Sequence, residues 1–70
     1  NLIMAKIQLN GKKVTVNHNA SIFDLIKKYK LLNKKVAIEH NGKIIAKETF
    51  KKKLLKNNDR VEIVHFIGGG

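Results

Sequence analysis

The residue pattern predicts an α+β domain in which a mixed sheet of four to five strands wraps around one main helix and ends in a flexible C-terminal glycine tail. Three observations carry this expectation. Two Asn-Gly pairs, Asn10-Gly11 and Asn41-Gly42, interrupt stretches rich in β-branched residues, which is the strongest short-range hairpin signal. Between them, Ile22, Leu25, Ile26 and Tyr29 form one apolar stripe at helical spacing. A final apolar run from Val61 to Ile67 leads directly into Gly68, Gly69 and Gly70.

The elements follow in order. From Met4 to Leu9 apolar and polar residues alternate, with Ile7 and Leu9 on one face, and after Asn10-Gly11 the alternation resumes at Val14 and Val16. Ser21 stands just before the helical stripe, with Asp24 three residues later. Ser21 can accept from the orphan amides of the first turn while Asp24 reaches back, an acidic variant of the capping box. Lys27, Lys28 and Lys30 suit the negative end of the helix, which is expected from Ile22 to Lys30 or Leu31.

Val36 to His40 reads as a strand, with Lys43 to Ala46 as its short partner. From Lys47 to Lys56 the apolar positions are Phe50, Leu54 and Leu55, a spacing that fits an irregular or single-turn helical crossover pinned by those side chains. Asn57, Asn58 and Asp59 form a turn into the last strand. There Val61, Ile63 and His65 fall on one face, and Glu62, Val64 and Phe66 on the other, wetter one. The order β, β, α, β, β, crossover, β matches the β-grasp arrangement, in which the last strand lies centrally and parallel to the first. A central strand covered on one face tends toward Val and Ile, as this one does.

Seventy residues make one small domain, near the lower limit for a core without staples. It is expected to span residues 1–67, with 68–70 as a tail. Asn1 to Ile3 are set apart as a candidate remnant because Met4 is a candidate initiator. With no cysteine the chain has no disulfide, thiolate metal site or cysteine nucleophile. No apolar stretch approaches a membrane span, and the start lacks the pattern of a secretory signal, so a cytoplasmic protein is expected.

The formal net charge is +10, from fourteen lysines and the single Arg60 against five carboxylates. Such charge favours phosphate binding, but nucleic-acid surfaces draw on arginine forks and aromatic platforms that are sparse here. Dispersed lysines fit a general Lys, Asn and Ile bias or complementarity to acidic partners better.

No catalytic cluster emerges. His18 lies in a polar stretch, His40 at a strand end and His65 in the last strand, at spacings that match no metal motif. Ser21 is accounted for as a helix cap. No helix follows Gly68 to Gly70 to make a phosphate cradle. The group with an unusual setting is the carboxylate of Gly70. Three extended residues span roughly 10 Å, enough to carry it into another protein's channel, and without Cβ atoms the thread is thin. A carboxylate is a poor electrophile, so its transfer requires activation, most simply as an acyl-adenylate formed by a partner from ATP. The chain itself is expected to bind no cofactor or metal and to have no catalytic residue.

Four segments carry a specific resemblance: Ile-Gln-Leu-Asn-Gly-Lys from Ile7, Ala-Ser-Ile-Phe-Asp-Leu-Ile from Ala20, Val-Ala-Ile-Glu-His-Asn-Gly-Lys-Ile-Ile from Val36, and Asn-Asp-Arg-Val-Glu-Ile-Val-His-Phe-Ile-Gly-Gly-Gly from Asn58. Over Met4 to Gly70 the chain resembles the ThiS family, the sulfur carrier proteins of thiamine biosynthesis, of the ubiquitin-like β-grasp group. The resemblance implies that an E1-like enzyme (ThiF type) adenylates Gly70 with ATP and magnesium. Cysteine-derived sulfur then replaces AMP to leave a thiocarboxylate. It further implies a thiazole synthase (ThiG type) as acceptor, which builds a thiazole phosphate from a deoxyxylulose phosphate and a glycine-derived imine. Gly68 and Gly69 would thread into the partners' active sites. Val64, Phe66 and Ile67 form the candidate docking surface, with Lys43, Lys47 and Arg60 as a charged rim.

Two other readings stay open on the sequence. One is a related β-grasp carrier for molybdopterin synthesis, tRNA thiolation or protein conjugation, although the chain is short for the molybdopterin-synthase subunit. The other is a basic β-grasp module that binds RNA, which would use the lysines and leave the glycines unexplained.

Overall fold

A computed structural model of the chain describes residues 4–66. The expectations for Asn1 to Ile3, and for Ile67, Gly68, Gly69 and Gly70, lie outside the described residues.

The first hairpin pairs β1 (Met4–Leu9) with β2 (Lys12–Asn17) antiparallel, joined by Asn10 and Gly11. Both turn residues have positive φ, +49° and +84°, a left-handed backbone that asparagine and glycine adopt most readily. The second hairpin repeats the device. Asn41 and Gly42, at +53° and +86°, join β3 (Val36–His40) to β4 (Lys43–Ile44).

The helix α1 (Ile22–Lys28) starts as its capping residues dictate. The Asp24 amide donates to Ser21 Oγ at 3.0 Å, and the Ser21 amide donates to Asp24 Oδ2 at 2.9 Å. It ends earlier than the lysine pattern predicts. Lys30 turns left-handed at φ +61°, its amide donates to the Lys27 carbonyl at 3.1 Å, and the Leu31 amide donates to the Ile26 carbonyl at 2.9 Å. This Schellman closure folds Leu31 back against the core instead of extending the helix through it.

β5 (Arg60–His65) runs between the two hairpins, giving the order β2-β1-β5-β3-β4. It is parallel to β1 and antiparallel to β3, as the β-grasp order requires. One sheet face packs on α1, and the core gathers Ala5, Ile7, Val16, Ile38, Val61 and Ile63 from the strands with Ile22, Leu25 and Ile26 from the helix.

Beyond the helix end, three details differ from expectation. β4 stops at Ile44 rather than Ala46, because Ala46 caps a 3-10 turn, Lys47–Thr49, whose last amide donates to the Ala46 carbonyl at 2.9 Å. In the crossover Phe50 and Leu55 are buried, but Leu54 is largely exposed and contributes its backbone, in a bridge to Ser21. Main-chain bonds hold that crossover to the helix entrance: Ile22 donates to Lys53 at 2.8 Å, and Leu55 to Ala20 at 2.7 Å. β5 ends at His65, whose side chain is exposed although Val61 and Ile63, on the same face, are buried.

Candidate functional site

The functional candidates cluster where β5 delivers the chain to its last residues. Along β5 the pleat buries Val61 and Ile63 and turns Glu62 and Val64 outward. Val64, 54% exposed, pairs with Ala37 on the outer sheet face, and Ile44 on β4 is 75% exposed. Phe66 follows the strand; its amide still donates to the Lys35 carbonyl at 3.0 Å, and the residue is 61% exposed. Phe66 borders a cleft with Phe23, Ile26 and Phe50, on the helix side of the sheet. Val64 does not border that cleft, so the two described members of the candidate docking surface face different surroundings. Ile67, Gly68, Gly69 and Gly70 continue from Phe66 beyond the described residues.

The charged rim is not gathered at one place. Lys47 borders the Phe66 cleft, whereas Arg60 lies at the opposite end of β5 beside Lys6 and Lys13.

A polar latch at that opposite end went unread in the sequence. Asp59 Oδ2 lies 2.8 Å from His40 Nε2 and accepts from the Lys56 amide at 2.9 Å, while Asp59 Oδ1 accepts from Asn41 Nδ2 at 3.1 Å. Burial alone would push the Asp59 carboxyl up. The hydrogen bonds from His40, Asn41 and Lys56, with the His40 charge, outweigh burial and hold it below the usual carboxylate range. The Asn57-Asn58-Asp59 turn was visible in the sequence, but its partners come from a different hairpin.

His18 and His65 are exposed, and His40 is committed to Asp59. Among the described residues no group of three or more His, Cys, Asp or Glu side chains could hold a metal ion. No described helix is long and apolar enough to cross a membrane.

A five-stranded mixed sheet on one helix, with its last strand at the centre, defines a ubiquitin-like β-grasp protein. The model of the ThiS family matches residues 6–70, and the chain belongs to that family. It is 46% identical over 65 residues to the sulfur carrier protein ThiS of Bacillus subtilis (strain 168), covering 91% of this chain and 98% of that protein. Among solved structures, the crystal structure of the thiamine biosynthesis protein ThiS from Geobacter metallireducens superposes with a TM-score of 0.80 at 31% identity, covering 93% of this chain and 99% of that one. The solution structure of a thiamine biosynthesis protein from the same organism gives a TM-score of 0.74 at 31% identity, covering 93% and 87%.

Proposed function

We propose that this chain is the sulfur carrier of thiamine biosynthesis and that the C-terminal carboxylate of Gly70 is its working group. The observation that carries the proposal is the family match through residue 70, the last of three glycines that follow a central strand.

The chemistry is divided between this chain and its partners. An E1-like adenylating enzyme supplies ATP and magnesium, and the Gly70 carboxylate attacks the α-phosphorus so that pyrophosphate leaves and an acyl-adenylate forms. Hydrosulfide derived from cysteine then attacks the acyl carbon, so that the bond to AMP breaks and a thiocarboxylate is left. Its sulfur is nucleophilic, and the acyl group allows later release to a thiazole synthase. Gly68 and Gly69 thread the partners' active sites, with no Cβ to obstruct a narrow channel. Val64, Phe66 and Ile67 dock the domain. The chain acts as a protein substrate rather than an enzyme, binds no cofactor of its own and works in the cytoplasm.

Intact-protein mass spectrometry tests this reading after incubation with an E1-like enzyme, ATP, magnesium and a cysteine-derived sulfur source. The expected product is heavier by the exchange of one oxygen for sulfur, and Gly70→Val forms none while melting at the wild-type temperature. An unmodified wild-type chain, with an enzyme competent on its own carrier, would overturn it.

A further inference from the structure

All three phenylalanines of the chain, Phe23, Phe50 and Phe66, border one cleft of about 530 Å³ between α1, the 3-10 turn and the end of β5. Of the four aromatic residues in the chain, only Tyr29 stands outside that lining. Ile26, Leu31, Leu32 and Val36 complete the apolar lining, and the cleft opens to solvent. Its rim is charged on one side of the ledger: Lys34, Lys35, Lys47 and Lys51 against Glu48. The Lys51 ammonium already stands 4.8 Å from the centre of the Phe23 ring, held over its face.

We infer that this cleft seats an acidic segment of a protein partner, anchored by an apolar side chain among Phe23, Phe50 and Phe66 and flanked by carboxylates that meet Lys34, Lys35, Lys47 and Lys51. Charge complementarity selects this occupant. A second copy of the chain would bring one lysine rim against another in a molecule of net charge +10. A nucleic-acid strand needs flat, open ring faces and arginine forks. Here Phe50 is buried, Phe23 is half-buried, and the described lining contains no arginine. Because Phe66 immediately precedes residues 67–70, whatever fills the cleft stands at the root of the tail. Resting on the carrier reading, the segment belongs to the enzyme that takes up the tail. Its docking therefore extends from the outer sheet face onto the helix side.

The test has two arms. In the first, the nitrogen-15-labelled chain is titrated with a synthetic peptide carrying a Leu-Phe pair among glutamates, alongside the same peptide with lysines for glutamates and an oligouridylate. The acidic peptide is expected to shift the Phe23, Ile26, Phe50 and Phe66 amides, and the double variant Lys35→Glu, Lys51→Glu to weaken it roughly tenfold. In the second arm the same variant raises the KM of the adenylating enzyme for the carrier roughly tenfold with kcat little changed, whereas Lys12→Glu, Lys13→Glu on β2 leaves both near wild type. Melting curves confirm that each variant folds. Shifts elsewhere than the cleft, stronger shifts from the lysine peptide or the oligouridylate, or cleft shifts produced by deleting residues 67–70 and not by the peptide would each overturn the inference. If the wild-type chain is never adenylated, the carrier reading fails separately, and the titration still decides what the cleft accepts.

Discussion

Asn10 works twice in one position. Its backbone makes the left-handed corner of the first hairpin, and its side chain reaches β5, where Oδ1 accepts from the Ile63 amide at 2.7 Å and Nδ2 lies 3.4 Å from the Ile63 carbonyl. The primary amide thereby continues the β1–β5 ladder one step after the β1 backbone has turned away. Asn10→Ala is expected to cost about 2 kcal/mol, from an unpaired amide on β5 and a Cβ-bearing residue without local polar compensation at positive φ. Urea denaturation checks the size, and hydrogen exchange should place the loss at Ile63. Asn41 does a parallel service from the other hairpin, with Oδ1 accepting from the Arg60 amide at 2.7 Å. Asp59 adds a pH dependence. Its carboxyl titrates below the usual range, so it contributes stability above the unfolded-state value, and that contribution is lost as pH falls through the lower folded-state value. Asp59→Asn is expected to destabilise the chain by about 1–3 kcal/mol at neutral pH and to flatten stability across the acid range. Thermal melts from neutral pH into acid separate that outcome from a uniform loss.

At the scale of elements, the helix shows what local rules decide. Four of the five described non-glycine residues with positive φ are asparagines, and the fifth is Lys30 at the helix exit. Lys30→Gly relieves the strain of a Cβ in that conformation and is expected to raise stability by about 0.5–1 kcal/mol, while Ser21→Ala costs about 1 kcal/mol by removing the cap; melting temperatures should move in opposite directions. Both hairpins, the capping box and the buried face of β5 were legible in the sequence, because each rests on residues adjacent or at a fixed short period. The helix end was not, since Leu31 turns back to meet a core assembled from distant strands. The His40–Asp59 contact escaped for the same reason, being a meeting of one hairpin with the turn before β5. For the site, Val64 was legible as an outward residue from alternation. The grouping of Phe66 with Phe23 and Phe50 needed the crossover to be folded against the helix.

At the scale of the whole molecule, the proposed function assigns fold and chemistry to different stretches of chain. Among the described residues the core side chains end at Ile63, and Gly70 lies beyond every element described. Gly70→Val should therefore abolish activation with stability unchanged, whereas Ile38→Ala, which empties a wholly buried site on β3, should cost about 2–5 kcal/mol. Parallel melting and mass-spectrometric assays of the two variants would display the division, and a large melting shift in Gly70→Val would refute it.

The central place of β5 also fixes how the domain meets mechanical load. On the carrier reading, tension applied through the end of the chain pulls on a strand paired to β1 through Gln8 and Leu9 and to β3 along its whole length from Val36 to His40, with both turn asparagines fastened to it. Tension along that axis shears these bonds together instead of peeling them one at a time, as it would at an edge. On that reading the load from the chain's end is shared at once by both neighbours of the central strand, β1 and β3.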